Sequence, residues 1–144
     1  MPTVVSSQWH PFLVHFPLAY WLLGSLIMLA AALFNKERWA GFAWLCLILG
    51  ALTSLPAVLA GQHDFAALTA TPAPNLLRHR ALGNALPWLM LPLAALWLHF
   101  RLKQRAFSRR IWPWVGPVLV IAALIVYIAY LGGVSVWIDG LTGP

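Results

Sequence analysis

His10-Pro11-Phe12-Leu13-Val14-His15-Phe16-Pro17 opens an uncharged stretch that runs to Phe34 and is closed only by Asn35-Lys36-Glu37-Arg38. Proline has a preset φ and lacks an N–H that the first helical turn would leave orphaned, so the two prolines suit a helix start. The run behind them has close to the ~20 residues needed to cross a ~30 Å hydrocarbon core. A spanning segment must satisfy its own backbone, which makes it a helix and not a strand. At the mouth of that helix sit two imidazoles. Ionisable groups are costly at membrane depth and mark functional sites there.

The rest of the chain repeats this pattern. Further apolar runs extend from Trp39 to Ala60, Ala81 to Phe100 and Ile111 to Leu131. The 144 residues are 62% hydrophobic and 8% charged, against about a quarter charged in a soluble domain. So few charges cannot cover a water-facing surface, so the bilayer is the solvent. Nine Trp and eleven Pro fit, because membrane helices tolerate Pro and collect aromatic rings at their ends. We expect an all-α integral membrane four-helix bundle forming one domain, with helices at about 11–34, 39–61, 81–101 and 111–132. The first nine residues carry no Lys or Arg, so the first run reads as a retained span and not a signal peptide.

The net charge of +6 comes from Lys and Arg residues lying between the apolar runs, with no basic stripe interleaved with aromatics. That pattern sets topology and contacts phospholipid, and it does not read as a nucleic-acid surface. Lys36 and Arg38 occupy the first connection, and Arg101, Lys103, Arg105, Arg109 and Arg110 the third. Only Arg78 and Arg80 lie in the second. Seven against two puts the first and third connections in the cytoplasm, and both termini on the outer, periplasmic side of a bacterial inner membrane.

This topology sorts the histidines. His10, His15, His63 and His79 fall at outer helix ends, with Asp64 beside His63 and Asp139 past the fourth helix. His99 lies some 30 Å from His79 along a helix, near the cytoplasmic end, and reads as an interfacial or packing residue. His10 and His15 are five apart, about 140° of helical rotation, so they do not share a face. Either they have different roles or the helix begins only at Pro17. His15 lies deeper and is the better internal ligand, whereas His10 suits a cap or loop. Cys46, the only cysteine, reads as a small packed apolar residue. Gly50 and Ser54, then Ala57 and Gly61, are small residues four apart that let helix backbones approach. Pro56, Pro87, Pro92, Pro113 and Pro117 interrupt the hydrogen-bond ladder. They leave either an internal cavity or simply an irregular bundle. No internal repeat is visible.

The opening His-Pro-x-x-Val-His-Phe-Pro resembles the signature of a bacterial family of small four-span membrane proteins, domain of unknown function family 2231. Ala57 to Gly61 followed by Asp64 is similar to that family's Gly…Asp segment, and His79 to Asn84 to its His…Asn segment. Leu131-Gly132-Gly133 with Gly140 resembles its Gly-Gly close, although Ser135 and Trp137 depart from the pattern there. The family has no settled activity. Its domain occurs joined to Rieske-type or c-type cytochrome modules in some proteins, so the resemblance implies redox work at the outer face.

Three functions compete. The first is a redox module holding one b-type haem for electron transfer. His15 and His79 would be its axial ligands, with His63 as substitute and His10 as a further candidate. Arg78 and Arg80 would meet the propionates, and Phe12, Phe16 and Trp88 the macrocycle edge. The second is a transition-metal site of His15, His63, His79 and Asp64. The third is an accessory subunit of a larger membrane complex, with structural histidines. No nucleophile motif or phosphate loop is present, so an electron-transfer or accessory role is expected before a stand-alone enzyme. A transporter is disfavoured by four spans without a repeat.

The topology has a direct test. A thiol placed by Ser108→Cys should react with a membrane-impermeant maleimide only after cells are permeabilised. Reaction in intact cells would reverse the assignment of sides.

Overall fold

The structure, a computed structural model, describes residues 9–68, 71–103 and 110–139. Thr69 and Ala70 of the second connection, Arg105, Ser108 and Arg109 of the third, and Gly140 lie outside the described residues. Five helices are described: α1 (Trp9–Leu13), α2 (His15–Leu33), α3 (Glu37–Ala66), α4 (Pro74–Leu102) and α5 (Trp112–Trp137). α1 and α2 together make the first of four segments long and apolar enough to cross a membrane, and α3, α4 and α5 make the others. The chain is a multi-pass membrane protein with an all-α bundle.

The opening motif is helical from Trp9. Hydrogen bonds from Val14 N to His10 O (3.1 Å) and from Leu18 N to Val14 O (3.3 Å) carry the backbone through the junction of α1 and α2. The interruption there follows from Pro17, which has no N–H to return to Leu13. α2 ends at a stop its sequence supplies. Asn35 adopts φ 51°, and Lys36 N bonds to Ala31 O (2.9 Å) while Asn35 N bonds to Ala32 O (3.4 Å). This is the left-handed helix closure in which Asn is the usual alternative to Gly. It turns the chain straight into α3.

Two helices begin or end well outside their apolar runs. α3 continues through Gln62, His63 and Asp64 to Ala66. α4 starts at Pro74, seven residues before the expected boundary, so Arg78, His79 and Arg80 lie on its first two turns and not in a connection. Hydropathy marks where the bilayer is, not where a helix stops. Pro74 is placed to open the helix and nothing between it and Ala81 breaks one. The interior prolines Pro56, Pro87, Pro92 and Pro117 are likewise accommodated within continuous helices.

The core runs along the bundle axis. Trp21, Met28, Leu47, Met90 and Val118 are fully buried, whereas Leu23, Leu26, Leu52, Leu59, Leu89 and Val120 face outward, where lipid takes the place of water. Trp21 crosses the bundle and donates its indole N–H to Val118 O (3.3 Å). α2 and α3 pack closest: a Cβ on Gly24 would lie 2.9 Å from the Leu47 side chain and 3.0 Å from Ala43 O, and one on Gly50 3.2 Å from Trp21 N. Gly50 is thus one of the expected close approaches. An open apolar groove lined by Leu26, Ile27, Ala30, Trp39 and Phe42 lies on the lipid side of the same pair, far along α2 from the histidines of the opening motif. At that end Arg101 Nη1 stands 3.6 Å from Glu37 Oε1, which places the first and third connections together.

Because Gly24 faces both side chain and backbone of α3, a larger residue there must push the helices apart. Gly24→Val should lower the stability of the detergent-solubilised protein by about 1–3 kcal/mol, read as a lower midpoint of thermal unfolding. Gly41→Val, where nothing stands within 4 Å, is the control, and equal losses would show that close packing is not the cause.

Candidate functional site

At the other end of the bundle, His10 on α1 and His79 on α4 meet. The rings of His10 and His79 have centroids 6.0 Å apart and planes at 78°. Both are half-buried. Each imidazole is fixed by the same device. His10 Nδ1 lies 2.8 Å from Ala57 O on α3, and His79 Nδ1 lies 2.8 Å from Ile128 O on α5. A carbonyl can only accept, so each Nδ1 carries the proton and donates it. The neutral imidazole then has its lone pair on Nε2.

Glycine makes this geometry available. Four residues beyond each accepting carbonyl is a glycine, Gly61 on α3 and Gly132 on α5. A Cβ on Gly61 would lie 2.7 Å from His10 Cε1, and one on Gly132 2.9 Å from His79 Cε1. Any other residue would displace the ring. The imidazoles therefore lie against bare backbone and reach carbonyls that already serve their own helices.

The remaining expected site residues are distributed differently. His15 is exposed, and its Nδ1 bonds to Pro11 O one turn back (2.6 Å). Of the two motif histidines it is thus His10 that turns inward and approaches His79. The two rings look different ways, as their spacing implies. The pairing of His15 with His79 does not form, because Gly61 opens space opposite His10. His63 is 79% exposed, with Nδ1 3.6 Å from Asp64 Oδ1. Among the described residues, His15, His63, His79 and Asp64 do not gather into one metal-sized cluster. Arg80 holds its guanidinium carbon 3.9 Å over the Phe65 ring, a cation–π contact, and Arg78 is exposed. Phe12 and Phe16 pack edge-to-face at 5.3 Å on the outer side of the first span. Trp88, 78% exposed, faces away from the pair. His99 is exposed at the opposite end, 5.8 Å from the Phe100 ring.

Polar ties surround the pair. Gln62 Nε2 donates to Asn84 Oδ1 (3.3 Å) between α3 and α4. Asn75 Nδ2 donates to Asp139 Oδ2 (3.0 Å), joining the start of α4 to the residues after α5. The sequence reading missed the carbonyls of Ala57 and Ile128 and the role of Gly132. A signal did exist, because each half of the chain carries a histidine followed, some fifty residues later, by a glycine at the same helical end.

A family profile of predicted membrane proteins, DUF2231, matches residues 7–143. The chain belongs to that family. No curated protein and no solved structure matches it. The matched segment contains both histidines and both glycines.

The Asn75–Asp139 tie has a measurable contribution. Asn75→Ala removes a donor to a carboxylate and should lower stability by about 1–3 kcal/mol, seen as a fall in unfolding midpoint in detergent. Asp139→Asn retains an oxygen acceptor and should lose less. The reverse order would show that the tie is not what holds the end closed.

Proposed function

We propose that this protein is a membrane-embedded redox module whose cofactor site is the His10–His79 pair, and that the group held there is one b-type haem. The observation carrying this reading is that both imidazoles donate Nδ1–H to backbone carbonyls. That leaves two Nε2 lone pairs in one half-buried place. Metal-binding histidines are oriented by the same device, in which the second nitrogen donates to a carbonyl or carboxylate and the ligating nitrogen gains basicity. The 6.0 Å between the ring centres is within the span of two imidazoles that would share one metal centre. Haem bound in this way supplies reversible one-electron transfer.

The chain's own residues prepare the place. Ala57 and Ile128 hold the imidazoles in one tautomer. Trp21 and Met90, fully buried farther along α2 and α4, fill the axis beneath and exclude water from that side. Arg78 and Arg80 lie on either side of His79 on α4, about 100° away in each direction, and are the basic groups for the propionates. With the cytoplasmic assignment of the Lys- and Arg-rich connections, this end faces the periplasm of a bacterial inner membrane. The electron partner, of c-type cytochrome or Rieske type, docks there.

Titration of the purified, detergent-solubilised protein with hemin, followed by oxidised and reduced spectra, tests the reading. Low-spin bands are expected in the parent and should be lost in His10→Ala and in His79→Ala, while His15→Ala and His63→Ala stay within about twofold of the parent affinity. A parent that does not bind hemin would overturn the haem proposal, and one that also binds no transition metal would leave an accessory subunit with structural histidines. Loss on His15→Ala instead would move the ligand to that residue.

A further inference from the structure

We infer that the bundle is a tandem repeat of one helical hairpin, and that the paired-imidazole site consists of two equivalent half-sites, one from each hairpin, on the pseudo-twofold axis between them. The first hairpin is α1–α2 with α3, and the second is α4 with α5. In each, a histidine on the first turns of the leading helix donates Nδ1–H at 2.8 Å to a carbonyl on the closing helix of the same hairpin. In each, a glycine four residues past that carbonyl removes the Cβ that would collide with the ring. His10, Ala57 and Gly61 thus correspond to His79, Ile128 and Gly132. Both hairpins run in the same direction along the bundle, so the operation relating them is a rotation about an axis along the membrane normal.

The correspondence extends through the core, with the register set by these bonds and not adjusted. Counting from each histidine, the residues seven, eleven and fifteen on are Pro17, Trp21 and Ser25 in one half and Leu86, Met90 and Ala94 in the other. All six are buried. Counting back three, six and ten from each accepting carbonyl gives Ser54, Ala51 and Leu47, and Ile125, Ala122 and Val118. All six are again buried. Side-chain identity is lost at nearly every pair, but burial is kept.

The consequence concerns the ligand. Two half-sites related by rotation present the same atom, Nε2, each ring fixed by the same kind of Nδ1–H bond to a carbonyl and the same bare glycine. The acceptor they suit takes two equivalent neutral nitrogen lone pairs, as one transition-metal centre does. Gly61 and Gly132 are then equivalent positioning residues.

This inference rests on the paired-imidazole reading but not on haem, and its test keeps the two apart. Nitrogen-15 NMR of histidine-labelled parent protein, without added cofactor at a pH where the imidazoles are neutral, should show both His10 and His79 protonated at Nδ1 and bare at Nε2. Gly61→Ala should move only the His10 signals, and Gly132→Ala only those of His79. Gly133→Ala, where nothing stands within 4 Å, should move neither. With hemin as the probe, the first two variants should each lose affinity by a similar factor, about 10–100-fold. Protonation of either ring at Nε2, or a ring that moves in one glycine variant while the other variant leaves its partner in place, would overturn the equivalence. A parent that fails to bind hemin yet shows both Nδ1 protons would overturn the haem reading and leave the repeat standing.

Discussion

A polar group inside hydrocarbon has no water to fall back on, so the chain must supply its partner. The buried hydroxyls of Ser25, Ser54 and Ser135 meet this by bonding to carbonyls of their own helices, at 2.7, 2.6 and 2.8 Å. Trp21 reaches across to Val118 O. The imidazoles of His10 and His79 meet it with a carbonyl on the helix packed alongside, at the place where a glycine lets a ring approach. Among the described residues Trp97 is the exception, because its buried indole N–H meets no acceptor there. It is held by stacking on Trp44, with ring centroids 4.7 Å apart and planes at 14°, and Trp44 in turn meets Trp114 edge-to-face at 5.3 Å. The two ends of the bundle therefore differ in kind. One is closed by aromatic stacking, the other by oriented imidazoles.

Much of this was legible in the sequence because it depends on composition along the chain. Four spans, their order and the end at which His10, His63 and His79 lie all follow from apolar runs and the charges between them. Asn35, ahead of Lys36-Glu37-Arg38, marks the tight turn between the first two spans. What the apolar runs could not show is where helices end beyond the bilayer, since the same helix continues into water. Arg78-His79-Arg80 therefore read as a connection and is in fact helix. The rotation of the first span was also hidden. A five-residue spacing shows that His10 and His15 look different ways, but only the packing of α3, with Gly61 facing α1, decides that His10 is the one turned inward.

The repeat escaped the sequence for a different reason. Trp21 and Met90, or Leu47 and Val118, do the same packing work with different shapes, and cores accept such exchange provided total volume and patterning are kept. Similarity of residues faded while similarity of burial stayed. Only His and Gly persist at the shared end, because each answers a requirement no other residue meets there: a donor that leaves a lone pair, and a backbone with no Cβ in the way. Gly24 and Gly50 have no such counterparts in the second hairpin. They set the close approach of α2 and α3, a requirement of that pair alone.

The apolar axis limits how the paired imidazoles can be used. Below them Trp21, Leu47, Met90 and Val118 are fully buried, one large apolar side chain from each of the four spans. A ligand held between His10 and His79, as proposed, would enter from the end of the bundle where the rings lie, the end at which Gln62 bonds to Asn84 and Asn75 to Asp139. Those four side chains join α3 to α4 and α4 to the residues after α5. Opening the site means separating helix ends that these hydrogen bonds hold, while the glycine-packed α2–α3 pair and the aromatic stack at the far end keep the spans in register. The polar bonds between helices thus lie at the end with the paired imidazoles, and the Gly24 contact and the Trp97–Trp44 stack lie away from it.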